Sequence, residues 1–398
     1  MKTLIIGTGK IGCGFAGQLM RASGHEVVFA SRNPAMVDYF NRIGSYRVRL
    51  AAGQNAEEHL IDQTRAVSTS NKKEMADELT SADLIITAVG AGQLAKIAPM
   101  LADGLRGRTT PVNVLAFENM TNAGSYLRQL IADNLPRDHS LAEHGFSSVL
   151  VSRAVSQQLG DPTSDDLITF IGDPIDTWVV DNAALCQSLP ATQGMIVTEN
   201  FEAWIQRKLY TYSAGHAITA YLGYLKGYHY IHTAIRDHEI RNAVLSAMKE
   251  GQRGLDARYG HEIAGSTRDL LDIISRFDNA SLNDPITRVG RDPKRKLGCD
   301  DRLVGAARLA EKAGVNPEML AFGVAAALFF DNPDDPSAAD LQHAIRIIGA
   351  GSALRQVSGL DPSRGVGRLI ADFWKQLSAG WRSGNQLLSL NSMVWAWS

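Results

Sequence analysis

Lys208, Ser213 and His216 are the residues of this chain whose types and spacing are best suited to chemistry. They lie in KLYTYSAGHAITAYLG, Lys208 to Gly223, spaced as lysine, four residues, serine, two residues, histidine. On a helix this sets an amine, a hydroxyl and an imidazole within about two turns. Ser213 and His216, three apart, share a face, and the flexible Lys208 stem can swing toward them. Such a group can hold a carbonyl oxygen or an alkoxide and exchange a proton with it, which is what alcohol oxidation without a metal requires. Three polar residues on a helix are more often a solvated face, so the reading depends on what the rest of the chain supplies.

The N-terminus supplies a nucleotide site. A short apolar run, Leu4-Ile5-Ile6, meets Gly7-Thr8-Gly9-Lys10-Ile11-Gly12, and a helical pattern follows through Phe15, Leu19 and Met20. In this strand–turn–helix context G-x-G-x-x-G is a dinucleotide fingerprint. Gly7 permits the tight turn, Gly9 lets the backbone approach a pyrophosphate, and Gly12 lets helix and strand pack closely. The following helix offers free N–H groups and partial positive charge to the phosphates, with Lys10 and Ile11 in its first turn. A second strand, Glu26 to Ala30, leads into Ser31-Arg32-Asn33. An NAD site usually has an acid there for the ribose 2′-OH, and this chain has none. Ser31 can hydrogen-bond a 2′-phosphate and Arg32 can pair with it, so NADP(H) is expected over NAD(H). Two further buried strands end near Gly90 and near Glu118-Asn119. At the carboxyl ends of a parallel sheet these three residues would line the nicotinamide end of the site, although Asn119 also reads as an ordinary turn residue.

With both ends in view, the chain resembles the polyol-specific long-chain dehydrogenases, the mannitol dehydrogenase family. The resemblance is carried by GTGKIGCGF (Gly7 to Phe15), FENMTNAG (Phe117 to Gly124), QRKLYTYSAGHAITAYLG (Gln206 to Gly223) and RVGRDPKRKL (Arg288 to Leu297). It implies zinc-independent hydride transfer between a polyol carbon and a nicotinamide. It makes Lys208 the general acid/base, His216 a ligand of substrate hydroxyls, and Asn119 a second group near the reacting oxygen. Three positions depart from the family pattern. Ser213 stands where the family has Asn, Cys13 where it usually has Arg beside the pyrophosphate, and Ser31 where it usually has Asp.

Six cations, Arg288, Arg291, Lys294, Arg295, Lys296 and Arg302, fall within fifteen residues of an otherwise balanced chain. Such a run is often a solvated loop. The reading pursued is a clamp for a substrate phosphate, because Arg forks match phosphate geometry, with Arg288, Arg291, Arg295 and Lys296 as its candidates. Asn200 and Arg153 complete the expected substrate set. Arg153 follows an extended segment near the domain boundary and is expected to reach into the cleft.

The 398 residues exceed one typical core, so two domains are expected. Extended, β-branched runs recur up to about Val180, and helical patterns dominate after Pro190. The layout expected is an α/β Rossmann-type domain over 1–190, an all-helical substrate domain over 191–383 with the active site in the cleft between them, and a tail over 384–398. Helical patterns run over Phe201 to Leu225, Ile231 to Gly251, Ser266 to Phe277, Leu303 to Ala313, Pro317 to Phe329, Ala338 to Ile348 and Gly367 to Leu377. With 40 basic and 42 acidic residues there is no general nucleic-acid or membrane signal. Three cysteines without CxxC spacing fit a reducing cytoplasm, and no zinc spacing is present. The expected partner is a small sugar or polyol phosphate, with mannitol 1-phosphate and fructose 6-phosphate as the leading pair, and the protein a monomer or homodimer. Two other readings stay open: a reductase of another polyol, keto-sugar or cyclitol phosphate, its specificity shifted by Ser213, and a nucleotide-binding sensor without turnover.

Overall fold

Leu4, Ile5 and Ile6 are all fully buried, as a strand covered on both faces by other elements must be. In the computed structural model, which describes residues 1–52 and 55–382, they lie in the middle of a twisted sheet. The strands are β1 (Lys2–Ile6), β2 (Glu26–Ser31), β3 (Tyr46–Ala52), β4 (Asn55–Ile61), β5 (Thr64–Ser68), β6 (Leu84–Thr87), β7 (Asn113–Ala116), β8 (Gly145–Val151), β9 (Val155–Leu159), β10 (Thr169–Gly172), β11 (Trp178–Asp181) and β12 (Met195–Thr198). Eight of them form one sheet in the order β12-β11-β8-β7-β6-β1-β2-β5. From β5 to β8 all neighbours are parallel. With β3 and β4 set aside, this is the 3-2-1-4-5-6 order of a doubly wound dinucleotide-binding sheet. β11 then runs antiparallel to β8, and β12 parallel to β11.

The period-2 alternation of the strands divides the core in two. Ile5, Val27, Phe29, Ile86 and Leu115 face a cluster containing α1 (Gln18–Ala22) and α2 (Pro34–Ile43). Leu4, Ile6, Val28, Ile85 and Val114 face α3 (Lys72–Ser81), α4 (Leu94–Arg106) and α5 (Ala123–Ala132). On the α1/α2 face lies a second sheet, β4-β3-β10-β9, which the sequence reading does not anticipate. Its β3–β4 hairpin is antiparallel, and β10 pairs with β3 in parallel across more than a hundred residues of chain.

The chain divides into two compact units, the first Met1–Phe201 and the second beginning at Glu202. The boundary expected at 190/191 thus comes eleven residues later, because β12 adds to the first unit's sheet and has to be counted with it. The second unit is helical: α6 (Phe201–Lys208), α7 (Ala214–Leu225), α8 (Ile231–Ala234), α9 (His238–Tyr259), α10 (His261–Ala264), α11 (Thr267–Phe277), α12 (Ile286–Gly290), α13 (Pro293–Lys296), α14 (Val304–Lys312), α15 (Glu318–Ala327), α16 (Pro336–Ile348), α17 (Ala350–Ser358) and α18 (Gly365–Arg382). α15 is apolar nearly all round and packs against α7, α9, α14 and α18, as a central helix must. The helix expected over Ile231 to Gly251 is two helices. Asp237 breaks the run by accepting from the N–H groups of Glu239 and Ile240, a side-chain cap that starts α9. Among the described residues no helix is long and apolar enough to cross a membrane. The tail expected over 384–398 lies outside the described residues.

The N-terminus of α15 depends on a half-buried acid. Glu250 of α9 accepts from the N–H of Met319 and of Leu320, each at 2.9 Å. Burial pushes its carboxyl up to about 7 against those two donors. A folded value above the unfolded one, near 4.3, means that its stabilising contribution is full below about pH 4 and lost as pH rises through about 7. Thermal melts between those limits should show that Glu250→Gln removes one component of stability that falls with pH, leaving a slope more positive than that of the wild type. An unchanged slope would remove Glu250 as its source.

Candidate active site

The glycine loop is built as a phosphate-binding turn must be. Gly7 has φ +120°, and a Cβ there would collide with the Ala88 carbonyl. A Cβ on Gly12 would collide with the carbonyl of Gly7. At Gly9 nothing lies within 4 Å of where a side chain would begin, so the backbone stays open to a ligand. These are the residues that would hold a dinucleotide pyrophosphate, and their geometry fits one. The helix that follows begins as a π-helical turn, Gly12–Gly17, before running into α1. Two of its carbonyls take donors from outside the helix. Tyr46 Oη of β3 donates to Cys13 O at 2.9 Å, and Arg153 Nη1 donates to Gly14 O at 3.1 Å. Lys10 Nζ donates to the carbonyl of Ser156 in β9, and Ile11 packs partly buried against the first core cluster.

Other expected site residues of this unit are placed as follows. Ser31 is buried at the end of β2, its hydroxyl bonded to that of Thr8 at 2.8 Å and accepting from Asn33 N–H at 3.2 Å. Arg32 is exposed and donates to Gln93 Oε1 at 3.2 Å. Glu118 is buried, its two oxygens accepting from the N–H of Val89 (2.9 Å) and of Gly90 (2.8 Å). Burial pushes its carboxyl up, and the two donors oppose this. It braces the ends of β6 and β7, and Asn119 is exposed beside it. Cys13 is fully buried in the core. Arg153 does not reach out of the unit as expected. It is buried against the Phe15 ring and donates to Ile175 O (2.7 Å) and Gln18 Oε1 (2.8 Å) as well as to Gly14 O. Burial lowers its guanidinium to about 10. It supports the nucleotide helix from within, and its fork is already filled. Asn200 is exposed, its N–H donating to Thr198 Oγ1 at 3.1 Å.

In the second unit, α6 passes into α7 through another π-helical turn, Leu209–Ser213. The Ala214 N–H reaches back five residues to Leu209 O, and Thr211 Oγ1 donates to the Arg207 carbonyl at 2.6 Å. In a plain α-helix, residues five apart point about 140° away from each other. The wide i→i+5 turn relaxes that angle, with Lys208 at its start and Ser213 at its end. Arg207 turns instead to Trp204, 5.1 Å from its ring centre, and to Asp269 at 3.8 Å.

His216, on the next turn, is fixed on several sides. Its ring stacks on Phe277 with centroids 5.0 Å apart and an interplanar angle of 15°. Tyr212 packs 5.6 Å away. Nε2 lies 3.1 Å from Asp284 Oδ2. Arg288 Nε donates to the other oxygen of Asp284 at 2.7 Å. Burial lowers the His216 pKa, with Asp284 working against it. Burial alone would raise the Asp284 carboxyl, but the hydrogen bonds and charges of His216 and Arg288 hold it below the usual range. The sequence reading missed Asp284. Its signal was present: an Asp four residues before Arg288, the spacing of a helical ion pair.

The basic run is less free than its composition suggests. Arg288 is taken by Asp284, Arg295 by Asp292 and Asp301, Lys294 by Asp340 and Arg302 by Asp301. Arg291 is exposed. Lys296 is buried and donates to the Arg291 carbonyl. Burial, with Arg302 and Arg295 nearby, pushes its ammonium down to about 7.

These features coincide with family membership. Residues 1–194 match the mannitol dehydrogenase Rossmann domain and residues 200–353 the mannitol dehydrogenase C-terminal domain. The chain belongs to the mannitol dehydrogenase family and is a nicotinamide-dependent dehydrogenase acting on CH–OH groups. Among its relatives it is 38% identical over 384 residues to mannitol-1-phosphate 5-dehydrogenase of Bacillus licheniformis, covering 94% of this chain and 100% of that protein. It is 36% identical to the enzyme of the same name from Bacillus velezensis, covering 92% and 98%. In fold it is similar to D-sorbitol dehydrogenase (TM-score 0.77, 15% identity, 96% and 94% covered). It is also similar to Pseudomonas fluorescens mannitol 2-dehydrogenase, a ternary complex with NAD and D-mannitol (TM-score 0.68, 14% identity, 99% and 94% covered).

Proposed function

We propose that the protein interconverts mannitol 1-phosphate and fructose 6-phosphate with NADP(H), Lys208 acting as general acid/base. One observation carries the reading: the Lys208–Ser213 pair on the wide turn, with His216 beyond it, occurs in a chain matching a mannitol-1-phosphate 5-dehydrogenase over that protein's full length. The bound nicotinamide supplies or takes up the hydride. Lys208 gives its proton to the oxygen that becomes the alcohol. In the reverse direction its neutral form takes that proton. Ser213 donates a hydrogen bond to the same oxygen, and His216 meets a neighbouring substrate hydroxyl. The substrate phosphate is assigned to the basic run Arg288, Arg291, Arg295 and Lys296, of which Arg291 is exposed and Lys296 is buried beneath it, donating to the Arg291 carbonyl. Cofactor preference rests on Arg32 and on the missing acid at Ser31.

Absorbance of NADPH, followed with fructose 6-phosphate, free fructose and a panel of other keto-sugar phosphates, tests the reading. Turnover is expected with fructose 6-phosphate. Tight NADPH binding with turnover on none of them would overturn it in favour of a sensor.

Ser213 favours a second reading, a different keto-sugar or cyclitol phosphate. A serine has one O–H donor where an asparagine amide has two N–H donors and reaches further. One oxyanion donor contributes about 10²–10³ in kcat. With fructose 6-phosphate as the substrate, Ser213→Asn should match or exceed the wild-type rate. With another substrate, it should raise a slow fructose 6-phosphate activity and lower the native one. No effect on any substrate would place Ser213 outside the reacting site.

A further inference from the structure

We propose that Asp284 is a positioning residue that keeps the proton of His216 on Nε2, so that Nδ1 presents a lone pair and selects a substrate hydroxyl over a carbonyl oxygen. The inference rests on the reading of His216 as a substrate contact. An ionised carboxylate can only accept, so the ring nitrogen that faces Asp284 Oδ2 at 3.1 Å must be the one that donates. In the neutral ring the other nitrogen is then an acceptor. Burial favours the neutral ring. A lone pair repels a carbonyl oxygen and attracts an O–H, so His216 reads the hydroxyl next to the reacting carbon in both the alcohol and the ketone.

Asp284 is itself rigidly held. Arg288 grips its second oxygen. Its carbonyl accepts from Ile231 N–H at 3.0 Å, and Ile286 N–H donates to His229 O at 2.9 Å. A backbone bridge joins Tyr230 to Pro285 beside it. The preceding turn, Ala280–Leu282, is started by Asn279, whose side chain accepts from Ser281 N–H at 3.1 Å, and it ends at Asn283 with φ +44°. On the ring's own side, Phe277 and Tyr212 fix its plane, and the Arg276 guanidinium lies 4.5 Å over Tyr212. The carboxylate and the imidazole are therefore aligned before any substrate arrives.

The test is nitrogen-15 NMR of histidine-labelled protein without substrate. The His216 signals should show Nε2 protonated and Nδ1 bare. Asp284→Asn, whose amide can donate to Nε2, should move the proton to Nδ1. It should also lower kcat/KM at least about 100-fold, as a tautomer reversal does in the serine-protease triad. Asp284→Glu, which keeps the acceptor, should retain the wild-type tautomer and recover most of that loss. A wild-type ring protonated on Nδ1 overturns the proposal, even if the Asn variant does not fold. So does an Asn variant with unchanged tautomer and unchanged kcat/KM. Because the tautomer is read without turnover, it stands or falls independently of which sugar phosphate is the substrate.

Discussion

Lys208→Ala should lower kcat by at least about 100-fold, the usual lower range for a general acid/base, while the NADPH dissociation constant stays within about two-fold. The split is expected because Lys208 lies in the second unit and the glycine loop in the first. Losing the lysine leaves Ser213 and His216 able to hold a substrate oxygen but with no group to protonate it. Single-turnover rates with fructose 6-phosphate and fluorescence titration with NADPH measure the two quantities separately. Chelators should leave the wild-type rate unchanged. A metal requirement, or an Ala variant with near wild-type kcat, would count against the whole mechanism.

Arg32→Asp should reverse cofactor preference. Ser31 is buried and its hydroxyl already engaged with Thr8 and with Asn33 N–H. Discrimination therefore falls to Arg32, which is exposed and tied to Gln93 by one bond of 3.2 Å. A hydrogen bond to a charged group contributes about 1.5–3 kcal/mol, so losing the guanidinium should cost NADPH roughly 10- to 100-fold in kcat/KM. The new carboxylate repels a 2′-phosphate and accepts from a 2′-OH, which adds a gain for NADH. Higher wild-type efficiency with NADH than with NADPH would sink the idea.

The parts legible in the sequence are those in which local pattern and tertiary role coincide. The run Leu4-Ile5-Ile6 before G-x-G-x-x-G announces a central strand and a phosphate turn, because burial on both faces and the glycine positions are local requirements. The long helices of the second unit are legible for the same reason, apart from the break that Asp237 introduces as a cap; the short α10, α12 and α13, and α17 behind its glycine start, are not. The second sheet is hidden because β4 is polar along most of its length. β4 carries Glu57, Glu58 and His59, and its order depends on pairing with segments a hundred residues away. Arg153 misleads because a cation near a domain boundary looks like a ligand group, whereas this one fills its fork with backbone and Gln18. The Lys208–Ser213 spacing fits an α-helical face poorly. The hydrogen bonds of the wide turn span five residues, and nothing in the composition of this helix announces that it widens between Lys208 and Ala214. Asp284 escaped notice because it acts through His216, 68 positions away.

The support of the glycine loop also has a consequence for the order of folding. Gly7 to Gly12 is complete six residues after it begins, yet the Arg153 donor to Gly14 is 139 positions distant, and the Ser156 acceptor for Lys10 is 146 positions distant. Contacts that close loops of this length form late, after nearby segments have paired. The growing chain therefore carries the whole nucleotide motif long before it can hold the turn in place. A fragment ending ahead of β8 contains every glycine of the loop and five of the six strands of the parallel run, but neither of these distant partners. The smallest piece that carries the loop together with both partners runs through Ser156, so a firmly held cofactor reports that these long-range contacts have closed.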